Sequence, residues 1–258
     1  MIRFENVVKR FDGREVLAGV SFSVKKGEVL AVVGPSGTGK SVTLKHMVKL
    51  LTPTSGKVWF EDIEVSSAEG HDLKRVRESF GYLFQGGALL GWMTVAENVA
   101  LPLVEKTKLK EAEINTRVAE ALEAVGLTAA ADRYPGEISG GMLKRAGLAR
   151  AIVRNVDVVL YDEPTSGLDP VTSLTINNLI RKLNRTRGFT SVVVTHDLPG
   201  AFDYADRILM LKDGHVVAEG TPRDFVMNPA PEVKEFLDAC HYNPTQFPAV
   251  APDGRSLQ

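Results

Sequence analysis

A glycine-rich segment that follows an apolar run has the composition of a phosphate-binding loop. Residues 34–41 read Gly-Pro-Ser-Gly-Thr-Gly-Lys-Ser and come directly after the unbroken apolar run of residues 29–33. Glycines let backbone N–H groups converge on phosphate oxygens, and the start of a following helix adds its positive end. In this pattern Lys40 bridges the outer phosphates and the Ser41 hydroxyl ligates Mg²⁺. The segment predicts a nucleoside triphosphate site.

Two adjacent carboxylates follow a second apolar run. Residues 156–161 are apolar except for Asp157, and Asp162 and Glu163 come next. A carboxylate at the end of a buried strand is suited to hold Mg²⁺, directly or through water, and its neighbour can polarise an attacking water. Alone, such a pair is more often a solvated strand end. Together with the phosphate loop, Asp162 and Glu163 become candidates for the metal and the water.

A second anion site is predicted where Ser139, Gly140 and Gly141 open a helix expected over residues 142–153. Serine is a favoured helix cap, and glycines let the backbone approach a ligand closely. One triphosphate needs only one such site, and the two lie 139 − 34 = 105 residues apart. A head-to-tail pair of copies, each closing the nucleotide of the other, accounts for both. The simpler alternative is that Ser139 only caps its helix.

Hydropathy patterns indicate an α/β fold with two kinds of sheet. Apolar and polar residues alternate over residues 2–11 and 20–24, which predicts an N-terminal antiparallel sheet. Residues 29–33, 156–161 and 191–194 are apolar runs, as in strands buried on both faces of a parallel sheet. Because polar residues follow each run, the site is expected at the carboxyl ends of these strands.

Helices and a hairpin complete the predicted fold. Residues 114–125 and 176–183 have apolar positions at helical spacing, and the helix after the loop is expected to include Leu44, Met47 and Leu51. The second of these helices is bracketed by Asp169 with Pro170 and by Gly188. Farther on, residues 207–219 predict a hairpin with an Asp-Gly turn, followed by a helix over residues 232–239 and a loosely ordered tail.

Composition excludes several classes of protein. Lys and Arg number 31 against 32 Asp and Glu, so a strongly basic nucleic-acid binder is disfavoured and no nucleic-acid partner is expected. The single cysteine, Cys240, excludes an internal disulfide and fits a reducing compartment. No apolar run reaches the length of a membrane span, which favours a cytosolic chain. His46, His71 and His215 are expected on the surface.

These motifs resemble the ATP-binding cassette (ABC) family over residues 2–240. Residues 138–142, Ile-Ser-Gly-Gly-Met, are similar to its LSGGQ sequence, and residues 162–169 match its Walker B and D-loop sequence. Gln85 falls at the Q-loop, His196 at the switch histidine, and Phe11 with Val16 at the adenine-stacking position. The resemblance implies a P-loop NTPase: a mostly parallel core sheet, an N-terminal antiparallel β subdomain and a helical subdomain at about residues 86–155, with residues 241–258 as a tail.

The resemblance also implies roles for individual residues. Glu163 is the general base or water-orienting carboxylate, His196 contacts the γ-phosphate, and Gln85 senses Mg²⁺ and the water. ATP and Mg²⁺ are the implied cofactors, with Ser41, Gln85 and Asp162 at the metal. The implied nucleotide contacts are Phe11, Val16, Gly34, Ser36, Gly37, Gly39, Lys40, Ser41, Thr43, Ser139, Gly141 and Asp169. Met142 departs from the family glutamine, and ATPase activity is expected to survive that change.

Within the family, the segments around residues 84–90 and 93–103 and the methionine at 142 are similar to ATPases of Mla-type and Mce-type lipid transporters. This implies a homodimer at the cytoplasmic face of the inner membrane with a permease, an MCE-domain lipid-binding protein and a small cytoplasmic regulatory subunit. Ala88, Leu89, Leu90, Trp92 and Met93 are suited to a groove for the permease, unless they pack the helical subdomain. The alternatives are a small-solute importer and a non-transport cassette ATPase.

Overall fold

The computed structural model describes residues 1–227 and 229–243. Within these residues the strands are β1 (Ile2–Phe11), β2 (Arg14–Val24), β3 (Val29–Val33), β4 (Ser55–Phe60), β5 (Ile63–Glu64), β6 (Phe80–Leu83), β7 (Val158–Asp162), β8 (Thr190–Thr195), β9 (Arg207–Lys212) and β10 (His215–Gly220). The helices are α1 (Lys40–Met47), α2 (Gly70–Ser79), α3 (Val95–Lys106), α4 (Glu111–Ala124), α5 (Gly140–Ile152), α6 (Pro170–Arg187), α7 (Leu198–Ala201), α8 (Pro222–Met227) and α9 (Pro231–Ala239). Short 3₁₀ turns lie at Thr128–Ala130 and Pro135–Glu137.

The larger sheet has the order β10-β9-β3-β8-β7-β6 within the described residues. The strands from β9 to β6 run parallel, and β10 pairs with β9 antiparallel. Alternate residues of β3 enter the apolar clusters on opposite faces: Val29, Ala31 and Val33 on one, Leu30 and Val32 on the other. The predicted mostly parallel α/β core, buried on both faces, is confirmed.

The smaller sheet, β2-β1-β4-β5, is antiparallel, which confirms the N-terminal sheet. Strand β2 begins at Arg14, earlier than the predicted residue 20, and pairs there with Phe11. Register shifts between Phe4 and Val7, between Val7 and Val8, and between Lys9 and Arg10 interrupt the pairing. Such irregularities break the two-residue alternation, so the sequence pattern marks only the regular end of β2.

Several predicted boundaries move. Helix α1 ends at Met47, so Leu51 lies outside it; Lys49 has a left-handed φ of 49°, which α-helical backbone does not allow. The strand predicted from residue 156 starts at Val158 and includes Asp162 as its last residue. Helix α6 keeps both predicted ends, since Asp169 caps it and Gly188 closes it with a φ of 69°.

A group of three helices connects β6 to β7. Helices α3, α4 and α5 pack on one another, and α5 also packs on β6. Helix α3 was not expected from the spacing of its apolar residues; it begins with a capping box in which Thr94 accepts from the Glu97 amide and Glu97 accepts from the Thr94 amide. The helical subdomain at about residues 86–155 and the domain bounds stay predictions.

The C-terminal elements follow the predicted order. The turn between β9 and β10 is formed by Asp213 and Gly214, which have φ of 50° and 78°, and α9 confirms the predicted helix. Residues 244–258 of the predicted tail lie outside the described residues. No helix in the described part of the chain is both long and apolar enough to cross a membrane.

His46 was expected on the surface, and this prediction is wrong. It lies in α1 with 1% of its surface exposed, and its Nδ1 is 2.6 Å from the Val42 carbonyl oxygen. Burial lowers the pKa of the imidazole, and the charge of Lys9 adds to the effect. Strands β4 and β8 both pack on α1. The sequence shows that Val42, Leu44 and Met47 lie near His46, but it does not show which face of the helix these strands cover.

The buried histidine predicts a pH-dependent stability. Because the pKa of His46 is lowered in the folded state, the unfolded chain gains a proton first as the pH falls through about 6.5, and the folded state loses stability. Between about pH 7.5 and about pH 5.5 we expect the free energy of unfolding to fall. The slope approaches about 1.4 kcal/mol per pH unit below the pKa that His46 has in the unfolded chain. His46→Gln should lack this component, as measured by urea unfolding at several pH values.

The matched control is His71→Gln, because His71 is exposed on α2. This variant should keep the pH dependence of the unmodified chain. An equal pH dependence in His46→Gln and the unmodified chain would contradict the proposed contribution of the buried imidazole.

Candidate active site

The loop between β3 and α1 needs glycine at two positions. Gly34 has φ of 145°, and a Cβ there would collide with the backbone oxygen of Leu211 in β9. Gly39 has φ of 93°, and its Cβ would lie 2.6 Å from Leu17 Cδ2. Both conformations are disfavoured for residues with a side chain. The close packing of β2 and β9 on the loop therefore fixes its path at the carboxyl end of β3.

Lys40 is the first residue of α1 and folds back over the loop. Its Nζ donates to Gly34 O at 2.8 Å and Pro35 O at 3.0 Å, and lies 3.7 Å from Glu163 Oε1. Only 6% of Lys40 is exposed, and burial lowers the pKa of the ammonium while the Glu163 carboxylate opposes that shift. The ammonium therefore lies between the loop and the end of β7.

Two hydroxyl groups hold the carboxylate of Asp162. Ser41 Oγ donates to Asp162 Oδ1 at 2.6 Å, and the Tyr82 hydroxyl donates to Oδ2 at 3.1 Å. Burial and the neighbouring charge of Asp162 raise the pKa of Tyr82, so the phenol keeps its proton and stays a donor. Serine and carboxylate oxygens side by side fit Mg²⁺, which uses few protein carboxylates and takes other ligands from phosphates and water.

Glu163 and His196 meet at the ends of β7 and β8. Glu163 Oε2 lies 2.8 Å from His196 Nδ1, and the Glu163 amide donates to Val194 O at 2.9 Å. Glu163 has a left-handed φ of 49°, an uncommon conformation for a residue with a long side chain. The neighbouring strand therefore fixes the backbone of Glu163 and directs its carboxylate to both Lys40 and His196.

A cavity of about 290 Å³ opens over these groups. It brings together half of the residues predicted for the nucleotide; its lining consists of Val16, Ser36, Gly37, Gly39, Lys40, Ser41, Val42, Gln85 and Glu163. Phe11 lies outside this lining, 40% exposed at the end of β1, with Lys9 Nζ 5.0 Å from its ring centre. Thr43 is buried, and its hydroxyl donates to Gly39 O at 3.1 Å, so it supports the loop from below.

The other predicted anion-binding residues lie elsewhere. Among the described residues, the lining of this cavity includes neither Ser139, Gly141 nor Asp169. Ser139 caps α5, with its Oγ 3.4 Å from the Met142 amide nitrogen, and Asp169 caps α6 by accepting from the amides of Val171 and Thr172. A Cβ on Gly141 would collide with Thr172, so the starts of α5 and α6 pack together.

Sequence reasoning missed two residues at this site. Tyr82 holds Asp162 from β6, and Lys144 reaches the same region from α5. Tyr82 belongs to a short strand with no motif to mark it. Lys144 lies on the same face of α5 as Gly141 and Leu148, which are buried, and a buried cation needs partners, but the sequence does not show which face of this helix the fold covers.

The chain is similar to known proteins over nearly its whole length. The family model for the ABC transporter matches residues 17–166. The probable ribonucleotide transport ATP-binding protein mkl of Mycobacterium leprae is 40% identical over 94% of this chain and 70% of its own. The intermembrane phospholipid transport system ATP-binding protein MlaF of Escherichia coli K12 is 39% identical over 93% of this chain and 89% of its own.

A solved structure gives the same result at the level of the fold. A dimeric ATP-binding cassette in a post-hydrolysis state, bound to ADP and phosphate, superposes with a TM-score of 0.80 at 35% identity and covers 86% of this chain and 99% of its own. Together with the mostly parallel core sheet, these likenesses identify the fold. The chain belongs to the ABC transporter family and is a nucleotide-binding ATPase of that family.

Proposed function

We propose that this chain is the motor subunit of a membrane transporter that moves phospholipid. Two copies bind ATP between them, close, drive an attached permease, hydrolyse the ATP and reopen. The observation that carries the choice of cargo is the 39% identity to a phospholipid transport ATPase over 93% of this chain. The cycle itself rests on the geometry of the site and on the dimeric, ADP-bound cassette with the same fold.

Binding of the triphosphate is assigned to the loop and to α1. The backbone amides of residues 36–40 and the positive end of α1 face the phosphates, and Lys40 exchanges its loop carbonyls for phosphate oxygens. Phe11 and Val16 take the adenine face, and Thr43 braces the loop. The full set of proposed nucleotide contacts is Phe11, Val16, Gly34, Ser36, Gly37, Gly39, Lys40, Ser41, Thr43, Ser139, Gly141 and Asp169.

Ser41, Asp162 and Gln85 would hold Mg²⁺. Bound there, the ion neutralises charge that develops on the phosphate oxygens during phosphoryl transfer. Ser41 and Asp162 are already in contact, and Gln85 lies at the mouth of the same cavity. The Tyr82 hydroxyl donates to Asp162 Oδ2, which keeps Oδ1 turned toward Ser41.

Hydrolysis is assigned to Glu163, His196 and Gln85. Glu163 accepts a proton from the attacking water, or orients that water, from a position beside Lys40. His196 holds the Glu163 carboxylate through its Nδ1 and is placed to contact the γ-phosphate. Phosphoryl transfer depends on positioning and charge neutralisation rather than covalent chemistry, so a fixed carboxylate and a fixed imidazole account for the activity.

The second anion site is assigned to the partner copy. Ser139, Gly141 and Asp169 are away from the lining of their own nucleotide cavity, so they reach a nucleotide only when another copy presents one. The exposed start of α5 offers the Ser139 hydroxyl and backbone amides to the γ-phosphate of that nucleotide. A symmetric head-to-tail dimer satisfies both copies at once.

A groove beside the Q-loop is assigned to the permease. Its volume is about 450 Å³, and its apolar lining includes Phe80, Tyr82, Phe84, Ala88, Leu101, Pro102, Ala151 and Val156. Trp92 is 75% exposed, so its side chain does not pack the helical group, whereas Leu89 packs against the core. A largely apolar groove and an exposed tryptophan in the segment between β6 and α3 fit the apolar face of a permease helix.

In the proposed assembly the dimer lies at the cytoplasmic face of the inner membrane, where it binds the permease. The other proposed partners are an MCE-domain lipid-binding protein outside the membrane and a small regulatory subunit in the cytoplasm. The relative from M. leprae is named for ribonucleotide transport, which makes a small soluble cargo the competing hypothesis. MlaF shares a comparable identity but matches more of its own length, 89% against 70%. This difference favours the phospholipid system.

Glu163→Gln should abolish ATP turnover, because an amide cannot accept the proton of the water. ATP binding should persist and an ATP-dependent dimer should accumulate, measured by phosphate release, equilibrium binding and size-exclusion chromatography. The matched control is Glu235→Gln, which removes an exposed carboxylate whose partner is Lys212. Turnover of Glu163→Gln at the rate of this control would remove Glu163 from the catalytic role.

Ser139→Arg should prevent hydrolysis by placing a bulky cation where the partner's nucleotide docks. ATP binding to the individual chain should stay within about twofold, since Ser139 is outside its own cavity. Ser67→Arg, at an exposed serine in a different part of the chain, is the control. Intact hydrolysis in Ser139→Arg would show that the composite dimer site is wrong.

The cargo and partners are tested by purification of the tagged full chain from membranes of its native host. Mass spectrometry should find a permease, an MCE-domain protein and enriched phospholipid. A permease with a soluble solute-binding protein would instead make the chain a small-solute importer, and the absence of any membrane protein would contradict the transporter assignment.

Two variants test the docking groove in the same purification. Trp92→Glu places a charge in the exposed segment between β6 and α3, which is proposed to contact the permease, and should reduce recovery of the permease at least about fivefold, since burying an unpaired charge is costly. Leu50→Glu introduces the same charge at an apolar residue that is 49% exposed elsewhere, and should retain the permease. Equal recovery with both variants would place the permease on another surface.

A further inference from the structure

Lys144 is a buried cation for which the proposed mechanism has no use. It lies in the second turn of α5, and 6% of it is exposed. Its Nζ donates to the backbone oxygen of Gln85, to Glu163 O at 3.0 Å and to Ser166 Oγ at 3.3 Å. A lysine ammonium has three N–H donors, so each one has an acceptor.

The three acceptors belong to segments that carry the proposed chemistry. Gln85 follows β6, Glu163 follows β7, and Ser166 lies in the loop that leads to α6. Ser166 also donates to Glu163 O, from its Oγ at 3.0 Å and from its amide at 3.2 Å, so with Lys144 this carbonyl oxygen receives three hydrogen bonds. Gln85 and Glu163 are 163 − 85 = 78 residues apart, and the ammonium of Lys144 joins their backbones directly.

Lys144 holds the backbone of Glu163, which has the strained conformation at this site. Glu163 has φ of 49°, and such a conformation persists only where its surroundings hold it. Its amide is held by Val194 O, and its carbonyl is held by Lys144 and Ser166. Since both ends of the residue are fixed, the direction of its carboxylate depends on these three partners.

Packing alone does not account for a lysine at this position. Burial lowers the pKa of the ammonium, and the charges of Glu163 and Asp162 oppose the shift, so the group carries a desolvation cost that an apolar side chain avoids. The acceptors of its hydrogen bonds are neutral oxygens rather than a paired carboxylate. The hydrogen bonds offset part of this cost, and what the lysine adds over an apolar side chain is a fixed orientation of these oxygens.

We propose that Lys144 is a positioning residue that sets the backbones of Gln85 and Glu163 relative to the start of α5. Lys144 is five residues from Ser139, a rise of about 7.5 Å along the helix. A displacement of the Ser139 end of α5 is therefore transmitted by a rigid turn and a half of helix to the carbonyl of Glu163. The inference rests on the proposed roles of Ser139 and Glu163, and adds a link between them within one copy.

The test compares Lys144→Met with Arg145→Met in the purified full chain. Methionine fills a similar volume without N–H donors. Arg145 is the next residue of α5, and its Nη1 donates to the carbonyls of Val125 and Gly126 at 3.1 Å each, away from the site. The control thus removes a neighbouring cation that also holds two backbone oxygens.

Lys144→Met should lower kcat for ATP about 10- to 100-fold, the range for a misplacement of about 1 Å at a reacting group. KM for ATP should stay within about twofold, because Lys40 and the loop are intact. Arg145→Met should keep both constants within about twofold of the unmodified chain. A kcat of Lys144→Met equal to that of the control, or a change confined to KM, would overturn the proposal.

Assembly is measured separately in the Glu163→Gln background. Lys144→Met combined with Glu163→Gln should still form the ATP-dependent dimer, because Ser139 is unchanged. Loss of this dimer would show that Lys144 acts on assembly instead. If Glu163→Gln alone turns over ATP, both the proposed function and the positioning role fail. If Glu163→Gln is inactive and Lys144→Met has the kcat of the unmodified chain, only the positioning role fails.

Lys144→Gln covers the case in which Lys144→Met does not fold, as judged by its thermal unfolding against that of Arg145→Met. The amide of glutamine keeps two donors on a shorter side chain and carries no charge. Its kcat should fall about three- to tenfold, less than that of Lys144→Met. A kcat equal to that of the unmodified chain would overturn the proposal by itself.

Discussion

Parallel pairing of three strands is the constraint on which the site depends. Strand β8 lies between β3 and β7, so the segments that follow these strands leave the sheet at one edge. The register aligns Val33 with Thr195 and Asp162 with Val194. Residues that are more than one hundred positions apart thus become neighbours through backbone hydrogen bonds, before any polar side chain makes a contact. The buried apolar strands supply the free energy that keeps this edge in order.

The edge concentrates opposite charges out of water. Lys40 and Lys144 are buried cations, and Asp162 and Glu163 are buried carboxylates, so groups of opposite sign share this edge. Burial disfavours each charge alone, and the mutual attraction and the hydrogen bonds offset part of that cost. Dipoles and charges are thus held at the edge of the sheet before a phosphate group binds.

How far the sequence could predict the site depends on how local each signal was. Lys40, Ser41, Asp162 and Glu163 are marked by residues next to them in the chain, and the structure places all four together. Tyr82, Lys144 and His46 depend on contacts with distant strands and helices, and no short pattern records such contacts. The same reason explains β2, whose bulges against β1 hid its first half, and α1, which ends where Lys49 adopts a left-handed conformation. The parallel core was predictable because burial on both faces leaves an unbroken apolar run.

The exposed tryptophan between β6 and α3 has an optical consequence. The chain contains two tryptophans, Trp59 and Trp92. Trp59 donates its indole N–H to Glu5 in the antiparallel sheet, whereas Trp92 stands in water at the edge of the helical group. The emission of an indole moves to shorter wavelength when it leaves water, so Trp92 has the larger shift still to make. The molecule thus carries a built-in fluorophore at an exposed position between β6 and α3, and needs no attached dye to follow the burial of that segment in real time.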